Sequence, residues 1–430
     1  MYNHSMNLKD VTAKKKYLLA VSGGADSMAM LDMFVRHEPK LHFSVVTVDH
    51  SLRKESGSDC LFVQQWCAQH GVKCDIVKVD VNSYCREKGV SVETGARILR
   101  YEALNGRQCD YICLAHNKDD NAESVLMHII RGSGLKGATG MQTFSGKYFR
   151  PLLEMTKKEV LQYCQDNAVP FVTDSTNSDC NYTRNFLRHK VIPLLKQING
   201  NVIDNIVQFA ENVALDQQYL TDCAVTDEVV TGEGKAFIPD SLLRQHPAVA
   251  YRVVDKTLAA MGVVNDFNRT HYLSVIALKD KQSGSRVDLP HGLTAYNDYN
   301  GVTICKSFAT HSDYCLPFKE GYIQLPSGTL YVGKRPVEGF CLRVDAKKIP
   351  PDAVIRTRRE GDVFTKFGGG TKPLKKFLID KKIPARMRDA IPLIASDNRI
   401  LVVCGVEIAD SVKTDDKSEI YYINFTKGKN

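Results

Sequence analysis

Two short stretches carry residue types that do chemistry when brought together. The first is Ser22-Gly23-Gly24-Ala25-Asp26-Ser27, which follows the apolar run "YLLAV". A glycine pair lets backbone approach an anion with no Cβ in the way. A helix starting behind it would aim free N–H groups and a partial positive charge at that anion. Ser22 and Ser27 add hydroxyl donors, so a phosphate or pyrophosphate is the natural guest. The same letters also suit a tight strand–helix turn capped by Asp26 or Ser27, and the loop alone leaves both readings open. The second stretch is His116-x-x-Asp119-Asp120-x-x-Glu123. Three carboxylates behind an imidazole suit an ammonium group or a divalent cation, with His116 a candidate proton acceptor. Asp120-x-x-Glu123 equally fits a helix capping box.

Competing phosphate motifs are weaker. Gly328 to Lys334 has the spacing of a Walker A loop, but Arg335 stands where Ser or Thr is needed and "TLYV" reads as a strand, so a hairpin is expected. No G-x-G-x-x-G follows the first strand.

The elements that must position these residues alternate regularly. "KYLLAV", "HFSVVTVDH", "VKCDIVKVD" and "DYICLAH" read as strands, and helices are expected over 26–37, 57–70, 93–107 and 119–131. That alternation predicts an α/β fold, a doubly wound parallel sheet, whose ligands bind at the carboxyl ends of the strands. Ser22, Asp49-His50 and His116 occupy those ends. Helix 26–37 turns Met28, Leu31, Phe34 and Val35 to the sheet. Helix 119–131 is expected to bury Ala122, Val125, Leu126, Ile129 and Ile130, leaving the three acids on other faces. Arg184 and Arg188 share a helix face opposite Leu187, Val191 and Leu194. The expected domains are 1–200, the α/β unit; 201–340, a helical and mixed middle; and 341–430, a small α+β unit.

At 430 residues the chain exceeds one ordinary core, and its 43% hydrophobic and 25% charged residues are those of a globular protein. There is no apolar run long enough for a membrane span and no secretory leader pattern, so a cytoplasmic protein is expected. None of the thirteen cysteines forms C-x-x-C, which points to reduced structural thiols. The formal charge of +8 is local: Arg343 to Arg388 holds fourteen Lys/Arg against five Asp/Glu. A solvated face would explain such a run; a polyanion such as nucleic acid is the functional alternative.

"SGGADS" resembles the S-G-G-x-D-S loop of the N-type ATP pyrophosphatases, or PP-loop superfamily, with its Rossmann-like sheet. Further segments resemble one branch, the tRNA(Ile)-lysidine synthetases: "TVDHSLRKESGSD" (47–59), "VETGARILRYEAL" (92–104), "LAHNKDDNAESVLMHIIRGSGLKGATGM" (114–141), "DSTNSDCNYTRNFLRHKVIPLL" (174–195) and the end-domain stretch 355–394. Ser124 replaces the usual Thr, and Ala115 and Asn117 replace the commoner Gly and His. The resemblance implies a ligase that splits ATP to AMP and pyrophosphate and joins free L-lysine to C2 of the wobble cytidine of a CAU-anticodon tRNA(Ile), through an adenylylated base, changing decoding from AUG to AUA. It implies Ser22–Ser27 as the ATP cradle, with Asp49 and His50 near the nucleoside. Asp119, Asp120 and Glu123 are implied for lysine, and Asp26 and Asp120 for Mg²⁺. Arg97, Arg100, Arg184, Asn185 and Arg188 are implied for substrate, and Arg356, Arg358, Arg359, Lys372, Lys375, Lys376, Lys381 and Lys382 for tRNA. A tRNA thiolase using the same loop, or a non-catalytic ATP-binding RNA adaptor, are the alternatives; a homodimer is left open.

Overall fold

The computed structural model describes residues 11–52, 56–173, 183–232, 234–306 and 313–428. It divides into two compact units, Met1–Tyr219 and Leu220–Asn430.

The first unit is built on β1 (Lys16–Ala20), α1 (Ala25–Arg36), β2 (His42–Asp49), α2 (Ser56–Gln69), β3 (Cys74–Lys78), α3 (Val81–Lys88), α4 (Val92–Asn105), β4 (Tyr111–Leu114), α5 (Lys118–Ile130), α6 (Leu135–Ala138), β5 (Phe144–Ser145), β6 (Tyr148–Phe149) and α7 (Lys157–Asp166). The sheet order is β3-β2-β1-β4-β6-β5, parallel except for β5. Strand residues alternate between two cores, as a sheet covered on both faces requires. Leu19, Val45 and Cys113 pack with α1, α2 and α7. Leu18, Val46 and Ile112 pack with Leu104 of α4. The chain runs outward from β1 to β3 on one side and from β4 to β6 on the other. The crevice at the carboxyl ends of β1 and β4 is therefore the switch point, where ligands bind in such sheets. The doubly wound expectation holds, with element bounds shifted by one or two residues.

Two helix readings need correction. The apolar face of α5 stops at Leu126, and Ile129 and Ile130 are exposed in its last turn. The stretch read as one helix over 183–195 is α8 (Thr183–Phe186), a π-helical turn over Leu187–Val191, and α9 (Ile192–Ile198). The wider turn shifts the following residues round the axis, so Leu187 is buried but Leu194 is exposed. The long α10 (Val202–Cys223) follows.

The second unit opens with a five-stranded antiparallel sheet, including β7 (Val230–Gly232), β8 (Lys235–Pro239), β9 (Arg286–Leu289), β10 (Leu293–Asp298) and β11 (Gly301–Lys306), packed with helices Pro247–Ala260 and Arg269–Ala277. Its last part holds a seven-stranded and a four-stranded sheet sharing the core of Leu330, Ile355, Val402 and Ile423. Helix Leu374–Asp380 packs Phe377 and Leu378 against Phe364. Gly328–Gly333 pairs with Gly321–Leu325 as the expected hairpin. Among the described residues no helix is long and apolar enough to cross a membrane.

Candidate active site

The turn after β1 is built to leave a helix end open. Gly23 has φ +86°, a left-handed conformation that favours glycine, and its carbonyl accepts from Val172 N–H at 2.9 Å. Gly24 is the N-cap of α1, and no side chain caps it. The alternative in which Asp26 or Ser27 serves only as a cap is therefore overturned. Ser27 Oγ instead donates to Gly24 O at 2.9 Å and accepts from Ser22 N–H at 3.1 Å. The serines brace the loop, and the first N–H groups of α1 face a cleft of about 600 Å³. Ser22, Gly24, Ala25, Asp26, Ser27, His50, Arg100 and His116 line it; Gly23 and Asp49 do not. Asp49 accepts from Ser51 N–H at 2.8 Å, shaping the turn behind β2.

Asp26 is gripped from two sides. Asn117 Nδ2 donates to Oδ1 at 3.1 Å, and Lys157 Nζ lies 2.7 Å from Oδ2. Neither partner stood out in the sequence. Lys157 lies 131 residues from Asp26, on the first turn of α7. Asn117 also caps α5, accepting from Asp120 N–H at 2.9 Å while Asp120 Oδ2 accepts from Asn117 N–H at 3.1 Å. The capping box is thus Asn117 with Asp120, not Asp120 with Glu123.

Glu123 is buried, and two guanidinium groups neutralise it. Arg188 Nε lies 2.6 Å from Oε1 and Arg184 Nε 2.9 Å from Oε2. Asp120 Oδ1 takes Arg188 at 3.0 Å and Arg184 at 3.3 Å. The shared face expected for Arg184 and Arg188 is real, but it meets carboxylates. The other Asp120 oxygen, Oδ2, is held in the cap. Asp119 accepts from Lys157 N–H at 2.7 Å, with Lys196 3.9 Å away. Asn185 lies on α8 beside Arg184.

Burial and the positive charges of Arg150, Arg100, Arg184 and Arg97 push His116 down to about 3. It is a neutral imidazole near pH 7 in the ligand-free protein. His50 is lowered too, by burial and then by Arg100. Arg150, missed in the sequence, directly follows β6, the strand paired with β4, and donates to Gln142 O at 2.8 Å. Its signal was a basic residue closing the apolar run before Pro151.

In the second unit the basic run splits. Arg356 is buried against Asp362, with 1% and 2% side-chain exposure, at 2.7 and 2.9 Å. This corrects its assignment to a tRNA-binding surface: it is an internal tie. Arg358, Lys372 and Lys381 pair with Asp389, Asp380 and Glu407. Arg359, Lys375, Lys376 and Lys382 are exposed and, among the described residues, form no ion pair. The twelve described cysteines are free thiols, and no group of three metal-binding side chains occurs among the described residues. Residues 53–55 and 174–182, within two of the resembling segments, lie outside the described residues.

Residues 2–195 match the family model of the PP-loop domain, and 353–425 match that of the TilS substrate C-terminal domain. The tRNA(Ile)-lysidine synthase of Caldanaerobacter subterraneus subsp. tengcongensis is 31% identical over 96% of this chain and 94% of its own. That of Oceanobacillus iheyensis is 32% identical over 90% of each. An open loop at the switch point of an ATP-utilising fold, an acidic helix beside it and both matched domains converge on one conclusion: the chain belongs to the tRNA(Ile)-lysidine synthase family.

Proposed function

We propose that this chain spends ATP to join lysine to C2 of the wobble cytidine of a CAU-anticodon tRNA(Ile), in the cytoplasm. The cytosine C2 carbonyl is a poor electrophile. Attack of its O2 on the α-phosphorus expels pyrophosphate and leaves adenylate on the base. The ε-amine of lysine then forms the C2–N bond, loses a proton, and AMP departs with O2. The observation that carries this reading is the uncapped N-terminus of α1 at the switch point, with the acidic turn of α5 next to it. Such a helix end stabilises phosphate charge, and Ser22 and Ser27 hold the loop in place for it.

One carboxylate with phosphate oxygens and water suits Mg²⁺, so Asp26 fits as its protein ligand once Lys157 moves onto the phosphates. Mg²⁺ would draw charge from the phosphates during their transfer. His116, neutral before substrate binds, hydrogen-bonds the base or its leaving oxygen. Asp120 and Glu123 offer the negative charge for lysine's ammonium, which must share or displace the guanidinium groups. Arg359, Lys375, Lys376 and Lys382 supply exposed cations for the tRNA backbone.

The test supplies ATP, Mg²⁺, radiolabelled lysine and unmodified tRNA(Ile). The expected result is label on the RNA with AMP and pyrophosphate released, and no label with Asp120→Ala. ADP and orthophosphate, or no label from the wild type, would refute the assignment.

A further inference from the structure

Beside the nucleotide cleft lies a group of cations with no carboxylate partner among the described residues. Arg97 and Arg100 extend from α4 and hold their guanidinium carbons 5.1 and 5.4 Å from the ring centre of Tyr101. Tyr101 meets Tyr148 edge-on at 5.3 Å, and Arg150 stands two residues beyond Tyr148. Among the described residues none of these three arginines pairs with a carboxylate, in contrast to Arg184 and Arg188. Arg100 Nε, Arg150 Nε and His116 Nδ1 are buried with no hydrogen-bond partner. Burial holds both Arg100 and Arg150 below the ordinary arginine range, and the charge of Arg97 adds to it in each.

Buried donors normally find partners, and buried charges normally find opposite ones. Arg100 and Arg150, desolvated and each with an orphaned Nε, therefore form half of an anion site, with the exposed Arg97 beside them. Guanidinium forks match phosphate oxygens. Two sources of phosphate are at hand, the nucleotide and the RNA strand. Of the three arginines only Arg100 lines the nucleotide cleft. Tyr101 and Tyr148 add aromatic surface of the kind on which unstacked bases rest. We propose that Arg97, Arg100 and Arg150 bind a backbone phosphate of the RNA strand next to the reacting base, separate from the nucleotide phosphates on the Ser22–Ser27 loop.

This rests on the reaction proposed above. The test uses the full chain with Arg97→Gln and Arg150→Gln, and Arg150→Lys as a fold-preserving partner that keeps charge but loses the fork. Binding of ATP with Mg²⁺ and of an anticodon stem-loop RNA with a CAU loop is measured from low to moderate salt. Each Gln variant is expected to weaken RNA binding about tenfold and to flatten the salt slope by roughly 0.7, the single-strand value per phosphate. Arg150→Lys should keep the slope while losing part of the affinity, and ATP binding should be unchanged in all three. Loss of ATP affinity with RNA binding intact would assign the anion to the nucleotide. No change in either, with wild-type RNA labelling intact, would overturn the site alone. A wild type that binds no RNA would overturn the site and the proposed reaction together.

Discussion

Replacing Arg356 by Met should unfold the end of the chain rather than loosen its grip on RNA. The guanidinium makes two bonds to Asp362, at 2.7 and 2.9 Å, and donates to Thr357 O and Asp397 O. Both side chains are almost fully buried. Removing one partner leaves the Asp362 carboxylate, among the described residues, with only the Arg359 N–H at 2.7 Å. Such an uncompensated buried charge costs about 3–5 kcal/mol. For a unit of this size each kcal/mol moves the melting temperature by about 2–4 °C, so a drop of roughly 6–20 °C is expected. The double variant Arg356→Met with Asp362→Leu removes both charges and should recover most of that loss. Calorimetry follows the melt, and salt-dependent binding of an RNA hairpin is measured below the transition, where the slope should match the wild type. A variant that melts like the wild type but shows a slope shallower by about 0.9 would make Arg356 a phosphate contact and refute the argument.

Joint replacement of Arg359, Lys375, Lys376 and Lys382 by Gln should flatten the salt slope of tRNA binding by up to about 3 units with the melt unchanged; single changes at the paired Lys372 or Lys381 should do less. Gly23→Ala forces a side chain into φ +86°, a cost of roughly 1–2 kcal/mol, and should weaken ATP binding; Gly24→Ala, at φ −72° with its Cβ in ordinary contact with Ser22 Oγ at 3.8 Å, should leave the melt unchanged. Unaltered nucleotide titration curves for Gly23→Ala would count against the loop geometry. Since His116 is depressed from 6.5 to about 3, its neutral form favours the fold above pH 6.5, and that contribution fades as the pH falls toward 3. His116→Gln should therefore flatten the acid-side loss of stability, and an imidazole NMR signal titrating near 6.5 would contradict the burial argument.

What could be read from the letters was whatever depends on local period and on strand ends. β1, β2 and β4 announce themselves by apolar runs, and the turn after β1 by its glycines. β6 has two residues, too few for any period, so Arg150 went unseen although it closes a strand beside β4. The middle sheet looked patternless because every residue of β10 is buried, polar ones included. Asn297 is satisfied by the carbonyls of Leu278 and Lys281, both at 2.6 Å, and Asp298 by Thr303 at 2.6 Å and Arg386 at 2.8 Å. Alternation disappears when tertiary contacts satisfy polar groups on a buried strand. Arg356 misled for the opposite reason. "IRTRRE" reads as a basic surface, yet Asp362 six residues on supplies the counter-charge that allows burial.

The arrangement of charge around the cleft suggests how substrates would enter it. Lys157 rests on Asp26, while Arg184 and Arg188 rest on Asp120 and Glu123. On the proposed reaction these pairs must exchange partners: an arriving ammonium competes with a guanidinium for Glu123, and the displaced cation becomes available to the phosphates. Replacing Arg188 by Ala should then tighten binding of lysine alone, because a competitor has gone, while slowing transfer of label to RNA. A merely structural tie would give the reverse, since loss of Arg188 would leave Glu123 buried with less compensation and disturb α5. Lysine titration without ATP, beside single-turnover labelling with it, separates the two. Weaker lysine binding together with a lower melting temperature would assign Arg188 to the scaffold and leave Lys157 as the cation that changes partner.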